Sequence, residues 1–95
     1  MPAYAIFIKE KTRNPKEMAA YSVKAGGSLA GRSVKLLALY GKQETWEGPA
    51  SEGVVILEFP DMAAARDWYE SPAYREAREH RFKGADYRAI LVEGA

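Results

Sequence analysis

Few of the 95 residues in this chain have side chains that could carry out chemistry or bind a metal. His80 is the only histidine and there is no cysteine, which excludes disulfides, thiolate catalysis and metal sites built from histidine and cysteine. The sequence contains no Ser-His-Asp order, no dinucleotide fingerprint and no glycine loop in the context of a phosphate site. We therefore expect no metal and no cofactor. His80 itself lies among charged residues, which is typical of a helix surface; a general base is the alternative.

Two charged residues fall within apolar patterns and are better candidates. Glu58 lies inside the apolar run 54–59, where a carboxylate is usually paired with a cation or placed at a sheet edge; a pocket acid is the alternative. Arg66, Arg81 and Arg88 are its candidate partners. Arg81 continues an apolar helical stripe, which suits an inward-reaching guanidinium. It would form an ion pair or a helix C-terminal charge, or it would bind an anionic ligand.

Aromatic side chains are concentrated on the predicted helices. Core packing is the ordinary role of such residues, and incomplete packing would leave an aromatic pocket for a small ligand. His80 remains a weaker candidate for this pocket. The predicted pocket residues are Tyr21, Glu58, Trp68, Tyr69, Tyr74 and Arg81.

The elements that must position these residues follow from hydrophobic period and cap signals. We predict strands at 4–9, 34–43, 54–59 and 87–92. We predict helices from 15 to about 30, from 62 to about 69, and from 72 to about 81. Asn14, Asp61 and Ser71 are the predicted caps. Gly26 and Gly27 predict either a weak point or early end of the first helix, or a close approach of a ligand or strand.

The order βαββαβ predicts one α+β domain over residues 1–95 with the ferredoxin-like fold, a four-stranded antiparallel sheet with helices on one face. All four strands carry apolar residues on both faces, and the helices can cover only one. Burying four or five aliphatic side chains of the other face is worth on the order of 8–12 kcal/mol before the costs of association. We therefore expect a homodimer in which two sheets pack face to face.

The overall composition is that of an ordinary globular protein. Apolar residues make up 47% and charged residues 28%, with a formal net charge of +1. This balance argues against nucleic acid or an anionic membrane as a partner. The chain shows neither the pattern of a signal peptide nor an apolar run as long as a membrane helix. We expect a soluble, cytoplasmic protein.

The stretches 53–61 and 67–74, together with Arg81, resemble the domain of unknown function 1330 family of the dimeric α+β barrel superfamily. The resemblance extends over nearly the whole chain and implies a ferredoxin-like fold and a dimer whose two sheets form a barrel. Trp68, Tyr69, Tyr74 and Arg81 match the family pattern, and His80 matches none of it. Leu39 stands where members often carry an arginine.

Two functions are compatible with these residues. The first is a dimeric module that binds a small ligand or stabilises an assembly, because no catalytic set is recognisable. The alternative is a small cofactor-independent enzyme, of monooxygenase or isomerase type, acting on an aromatic or polyketide-like molecule; the superfamily resemblance favours it. Such an enzyme needs a pocket between helices and sheet with a polar group at its base.

Overall fold

The computed structural model describes all residues 1–95 and contains four strands and three helices. The strands form one antiparallel sheet in the order β2-β3-β1-β4. This confirms the predicted ferredoxin-like arrangement. In chain order the elements are β1 Ala3–Thr12, α1 Pro15–Ser28, β2 Lys35–Leu39, β3 Gly53–Phe59, α2 Met62–Tyr69, α3 Pro72–Gly84 and β4 Ala85–Glu93.

All three helices begin at the predicted caps. The side chains of Asn14, Asp61 and Ser71 each accept a hydrogen bond from a backbone N–H of the first turn. Such a cap is typically worth about 1 kcal/mol. The third helix continues to Gly84, three residues beyond its predicted end. Arg13 explains the extension, because its guanidinium donates to carbonyl oxygens at the C-terminal end of α3 that would otherwise lack partners.

The first helix passes through Gly26 and Gly27 and ends at Ser28. A Cβ atom built on either glycine would meet no other atom within 4 Å. The helix therefore ends just after the glycines, two residues before its predicted end, and no neighbouring strand approaches them. The sequence predicted that a ligand or a strand could approach these glycines closely, and of these two only a ligand remains.

Replacing Gly26 or Gly27 with alanine should stabilise the protein. Each glycine is helical and has open space around it, so alanine brings its helix propensity without a clash. We expect each substitution to raise the free energy of unfolding by about 1 kcal/mol. Urea denaturation followed by circular dichroism measures the change. A loss of stability would show that the backbone there is not an unstrained helix.

The inner face of the sheet packs against the helices and forms the core. Phe7 and Leu57 lie on the central strands, and Trp68 and Tyr74 cover them from α2 and α3. Aromatic rings make up much of this core and pack edge to face or tilted, as in the pair Phe7 and Trp68. The buried core residues are Ala5, Phe7, Tyr21, Val55, Leu57, Phe59, Ala65, Trp68, Tyr74 and Ala77.

The outer face of the sheet carries an apolar row that crosses all four strands. In this row Ala38 lies beside Ile56, Ile56 beside Ile6, and Ile6 beside Ile90. Ile90 is exposed and the other three side chains are half-buried. The predicted uncovered apolar face is therefore present, and we call it the outer face below.

The second strand differs from its prediction in length and in register. It ends at Leu39, not at residue 43. Leu36 pairs with Leu57 and Ala38 with Ile56, so Leu37 is an extra residue that forms a bulge. Simple alternation places Leu36 and Leu39 on opposite faces, and that expectation is wrong. The bulge turns both leucines toward the helices, and Tyr40, with a φ of 51°, ends the strand.

Candidate functional site

A cleft opens between α1 and the half of the sheet formed by β2 and β3. Its volume is about 280 Å³, near the lower end of the range for pockets that hold small ligands. We call it the helix–sheet cleft. Its lining consists of Phe7, Tyr21, Ser22, Ala25, Gly26, Leu29, Leu36, Leu39, Tyr40, Val55, Leu57 and Trp68. It contains no carboxylate, and nearly all of its walls are apolar.

A second cavity lies where α2 crosses β1 and β4. Its volume is about 320 Å³, and Tyr69, Arg66 and Glu70 contribute to its lining. Phe7 and Trp68 line both spaces, so these two side chains form the partition between them. We call the second space the rear cavity. The region between helices and sheet is therefore filled at its centre and open on both sides.

Two pairs of tyrosine hydroxyls are hydrogen-bonded near the helix–sheet cleft, one pair buried and the other exposed. The Oη atoms of Tyr21 and Tyr74 are 2.9 Å apart, and those of Tyr40 and Tyr87 are 2.5 Å apart. Tyr21 and Tyr40 line the cleft, whereas Tyr74 and Tyr87 do not. Each pair therefore joins a tyrosine that lines the cleft to a tyrosine that does not.

The position of Tyr40 depends on an unusual backbone. A φ of 51° in a residue other than glycine costs about 1–2 kcal/mol, and such residues cluster at functional sites. The ring lies across Gly53, where an added Cβ would come within 2.3 Å of Tyr40 Cδ1. Lys9 Nζ lies 4.9 Å from the centre of the ring. The tyrosine thus reaches from β2 across the sheet to Tyr87 on β4.

Arg81 is a buried cation without a counter-charge. It is 3% exposed, and its guanidinium lies 5.1–5.5 Å from the rings of Phe7, Phe82 and Tyr87. Its side chain makes one long hydrogen bond, 3.5 Å to Tyr69 Oη, and its Nε has no partner. It takes part in no ion pair. The predicted inward orientation of this guanidinium is therefore observed, but without the ion pair proposed for it.

We call Tyr21, Tyr40, Tyr74, Tyr87 and Arg81 the tyrosine–arginine cluster. Burial is the largest influence on three of its hydroxyls and raises the pKa of Tyr21, Tyr74 and Tyr87 above the ordinary tyrosine value. The charge of Arg81 acts in the opposite direction on all three pKa values. These hydroxyls are therefore protonated at neutral pH and act as hydrogen-bond donors rather than bases.

Stability should fall steeply at alkaline pH. Raised pKa values in the folded state mean that the unfolded chain loses its tyrosine protons first, near pH 10. The contribution is complete below that pH and is lost as the pH rises. The slope should be up to about 1.4 kcal/mol per pH unit for each of the buried Tyr21 and Tyr74. Urea unfolding between about pH 9 and pH 11 measures it. A flat profile would contradict the burial of these hydroxyls, and Tyr21→Phe should reduce the slope.

Two predicted candidates lie away from this cluster. Glu58 lies on the outer face, where its nearest cation is Lys35 Nζ at 3.6 Å, not any of the three arginines suggested by the sequence. His80 Nδ1 is 2.6 Å from Glu17 Oε2 and joins α3 to α1. Neither residue lines the cleft. Of the predicted pocket, the structure brings together Tyr21, Trp68, Tyr69, Tyr74 and Arg81.

Three further residues are Tyr69, which was predicted for the pocket, and Tyr40 and Tyr87, which were not. Tyr69 lines the rear cavity, packs against the rings of Trp68 and Tyr74, and accepts a hydrogen bond from Arg81. Tyr40 and Tyr87 were not predicted from the sequence. The one available signal was Gly53, whose lack of a side chain leaves room for the ring of Tyr40. No group of three or more metal-ligating side chains is assembled. None of the three helices is long and apolar enough to cross a membrane.

This sheet, these helices and the cleft between them define a ferredoxin-like α+β protein with an aromatic cavity on the helical side of its sheet. The resemblance found in the sequence is confirmed by a family model that covers residues 2–95. The chain belongs to the family described as Domain of unknown function (DUF1330). No curated protein matches it.

Solved structures share the fold at low sequence identity. A protein of unknown function from Rhodopseudomonas palustris is 24% identical, with a TM-score of 0.79 over 99% of this chain and 82% of its own. A dimeric ferredoxin-like protein of unknown function from Bacteroides fragilis is 12% identical, with a TM-score of 0.70 over 98% and 96%. SnoaB, a cofactor-independent oxygenase from Streptomyces nogalater, is 12% identical, with a TM-score of 0.61 over 98% and 91%. These likenesses show the fold.

Proposed function

We propose that this protein is a homodimeric module that binds a small aromatic or polyketide-like molecule in the helix–sheet cleft of each protomer. One observation carries the proposal: an apolar cleft of about 280 Å³ is lined by Tyr21 and Tyr40, two members of the tyrosine–arginine cluster. Apolar walls with a few convergent polar groups are the usual composition of a small-molecule site. Tyr21, Tyr40 and Trp68 are the residues we assign to ligand contact.

Binding is favoured over acid–base catalysis by the residues of the cleft. A general base must lie within hydrogen-bond reach of the proton that it removes. Glu58 is on the outer face and His80 is paired with Glu17, so neither can reach a molecule in the cleft. Burial raises the pKa of Tyr21, which lines the cleft, so its hydroxyl is protonated at neutral pH and is not a base.

The dimeric state rests on the outer face and on the solved structures. The apolar row through Ile6 and Ile56 is left uncovered by the chain's own helices. Proteins of the same fold, including the one from Bacteroides fragilis, are described as dimeric. We propose that two copies cover this row by packing sheet against sheet, which leaves both clefts on the outside of the assembly.

Tryptophan fluorescence provides a direct test of ligand binding. Trp46 is 88% exposed, so Trp46→Phe should preserve the fold and leave Trp68 as the only reporter. The probe is 4-nitroanisole, a neutral nitroaromatic molecule that quenches indole emission on contact. We expect saturable quenching of Trp68. Quenching that rises linearly without saturation would contradict the proposed function.

A matched pair of variants shows which cavity is used, because Trp68 lines both. Gly26 lines the helix–sheet cleft and Gly27 does not, although both lie in open space on α1. Gly26→Leu should fill the cleft and weaken 4-nitroanisole binding by about tenfold or more, equivalent to about 1.4 kcal/mol. Gly27→Leu should leave binding unchanged. Equal effects of the two variants would exclude the helix–sheet cleft.

A catalytic role is the second candidate, in the form of a cofactor-independent oxygenase or isomerase. The observation in its favour is the set of tyrosine donors in an apolar cleft, since such donors stabilise an oxyanion that develops during a reaction. Oxygen uptake in the presence of 1,3-dihydroxynaphthalene tests the oxygenase, since an isomerase consumes no oxygen. Uptake that is abolished by Gly26→Leu would establish catalysis in the cleft.

A further inference from the structure

We propose that the helix–sheet cleft selects molecules with an acidic hydroxyl, a phenol or an enol, and binds them as the oxyanion at the hydroxyls of Tyr21 and Tyr40. This inference rests on the proposed function and names its ligand class. It follows from the charge balance behind the cleft, from the direction of the hydroxyl dipoles and from the position of Arg81 relative to the walls.

The charge balance around Arg81 is incomplete in the isolated chain. A guanidinium that is 3% exposed is normally paired, because the free energy cost of an isolated buried charge is large. Arg81 has no ion pair, one long hydrogen bond and an Nε without a partner. An anion bound nearby would supply the missing negative charge. The helix–sheet cleft is an adjacent space that contains no carboxylate of its own.

The tyrosine pairs connect this charge to the cleft. Each pair has two hydroxyl hydrogens, and only one of them can lie between the two oxygens. The field of a cation turns nearby O–H dipoles so that their hydrogens point away from it. Tyr74 and Tyr87 then donate to Tyr21 and Tyr40. The hydrogens of Tyr21 and Tyr40 are then left without a partner, and because both residues line the cleft we infer that they donate to an oxygen anion bound there.

The other side chains around these hydroxyls are either positively charged, which also favours a bound anion, or uncharged. Lys9 on β1 lies beside the ring of Tyr40 and adds a second positive charge. Tyr69 on α2 is uncharged and contacts Arg81 from the side of the rear cavity. Tyr74 on α3 and Tyr87 on β4 complete the surroundings. Glu52, whose pKa is lowered by hydrogen bonds from Thr12 and also by the charge of Lys9, interacts with this lysine but does not line the cleft. No carboxylate is part of the lining itself.

The position of Arg81 favours a single oxygen over a carboxylate. Carboxylates are recognised best by a guanidinium that offers two parallel N–H donors. Arg81 is not part of the lining, so it cannot present this fork to a ligand. Two separate hydroxyl donors suit the single oxygen of a phenolate or enolate. The volume of about 280 Å³ restricts the rest of the ligand to a small ring system.

The test compares 4-nitrophenol with 4-nitroanisole in the Trp46→Phe protein. The two molecules differ by one methyl group, and only the phenol can ionise. Its neutral and ionised forms absorb at different wavelengths, so the pKa of the bound probe can be read by titration. We expect binding to lower this pKa by about one unit or more, which means that the anion binds about tenfold tighter than the neutral form.

Three variants show which residues cause the pKa shift of the bound 4-nitrophenol. Tyr40→Phe and Arg81→Met should each reduce the pKa shift of the bound probe, and Arg66→Met, which removes a cation from the lining of the rear cavity, should retain it. If Arg81→Met does not fold, Tyr40→Phe alone decides, because Tyr40 lines the cleft. Loss of the shift in Arg66→Met but not in Tyr40→Phe would overturn the proposal and indicate the rear cavity.

The two proposals fail in different ways. Saturable binding of 4-nitroanisole together with an unchanged pKa of bound 4-nitrophenol would overturn the selection of oxyanions and leave the proposed function intact. Absence of saturable binding for both probes would overturn both. Saturable binding of 4-nitrobenzoate that is tighter than that of 4-nitrophenolate would replace the phenol or enol by a carboxylate as the ligand class, and so overturn this proposal.

Discussion

Tyr74→Ala is expected to lower the free energy of unfolding by about 3–5 kcal/mol, the usual cost of removing a large buried aromatic side chain. Tyr74 is 0% exposed, and its ring lies 4.1 Å from that of Trp68, measured between centroids. Rings of Phe7, Tyr21 and Tyr69 also contact it. Small domains have only about 5–15 kcal/mol of stability in total, so this single change should bring the protein close to unfolding. Urea denaturation at neutral pH measures the loss.

Tyr74→Phe separates the ring from its hydroxyl. It keeps the packing but removes the partner of the Tyr21 hydroxyl, which is buried. A buried polar group without a partner costs about 1–3 kcal/mol. The phenylalanine variant should therefore lie between the wild type and the alanine variant. If both variants lose the same stability, the hydroxyl pair and not the aromatic packing holds this region together.

Ile6→Lys should convert the dimer into a folded monomer. Ile6 lies on the central strand β1, between Ile56 and Ile90 in the apolar row. A lysine at this place on each protomer would put two positive charges inside the proposed interface. An unpaired buried charge costs about 3–5 kcal/mol, so the dissociation constant should rise by at least about a hundredfold. Sedimentation equilibrium at several concentrations measures it.

Val23→Lys is the matched control. Val23 lies on α1 and is 78% exposed, on the helical side of the molecule. The same change of residue type there should leave the dimer intact. A dimer that persists in Ile6→Lys would mean that the outer face is not the interface. Circular dichroism of Ile6→Lys must show the wild-type spectrum, so that loss of the dimer is not loss of the fold.

The fold could be predicted from the sequence because its signals are local. Asn14, Asp61 and Ser71 predict the start of each helix from within its first turn, and apolar runs mark β3 and the first part of β1. The end of α3 was missed because its last carbonyls are satisfied by Arg13, which lies far away in the sequence. A contact of that kind leaves no trace in the residues next to the helix end.

The site could be predicted only in part, since it depends on which face of the sheet the helices cover. Alternation separates Glu58 from Leu57 and Phe59, but it does not tell which set faces the helices. Arg81 was found because it lies in an apolar helical stripe. Tyr40 and Tyr87 were missed because a left-handed residue and a contact from β2 to β4 arise from tertiary structure. The hydrophobic periodicity of the sequence predicts neither the left-handed conformation of Tyr40 nor its contact with Tyr87.

The bulge at Leu37 has a consequence for the evolution of chain length. Leu36 pairs with Leu57 and Ala38 pairs with the next residue, Ile56, so Leu37 has no partner of its own. Deleting Leu37 would leave every other pairing of β2 unchanged and would restore a regular ladder. Relatives one residue shorter at this point can therefore keep the same sheet and the same two leucines in the cleft. Sequence alignments of such proteins should place their gap at Leu37, where a deletion disturbs neither face.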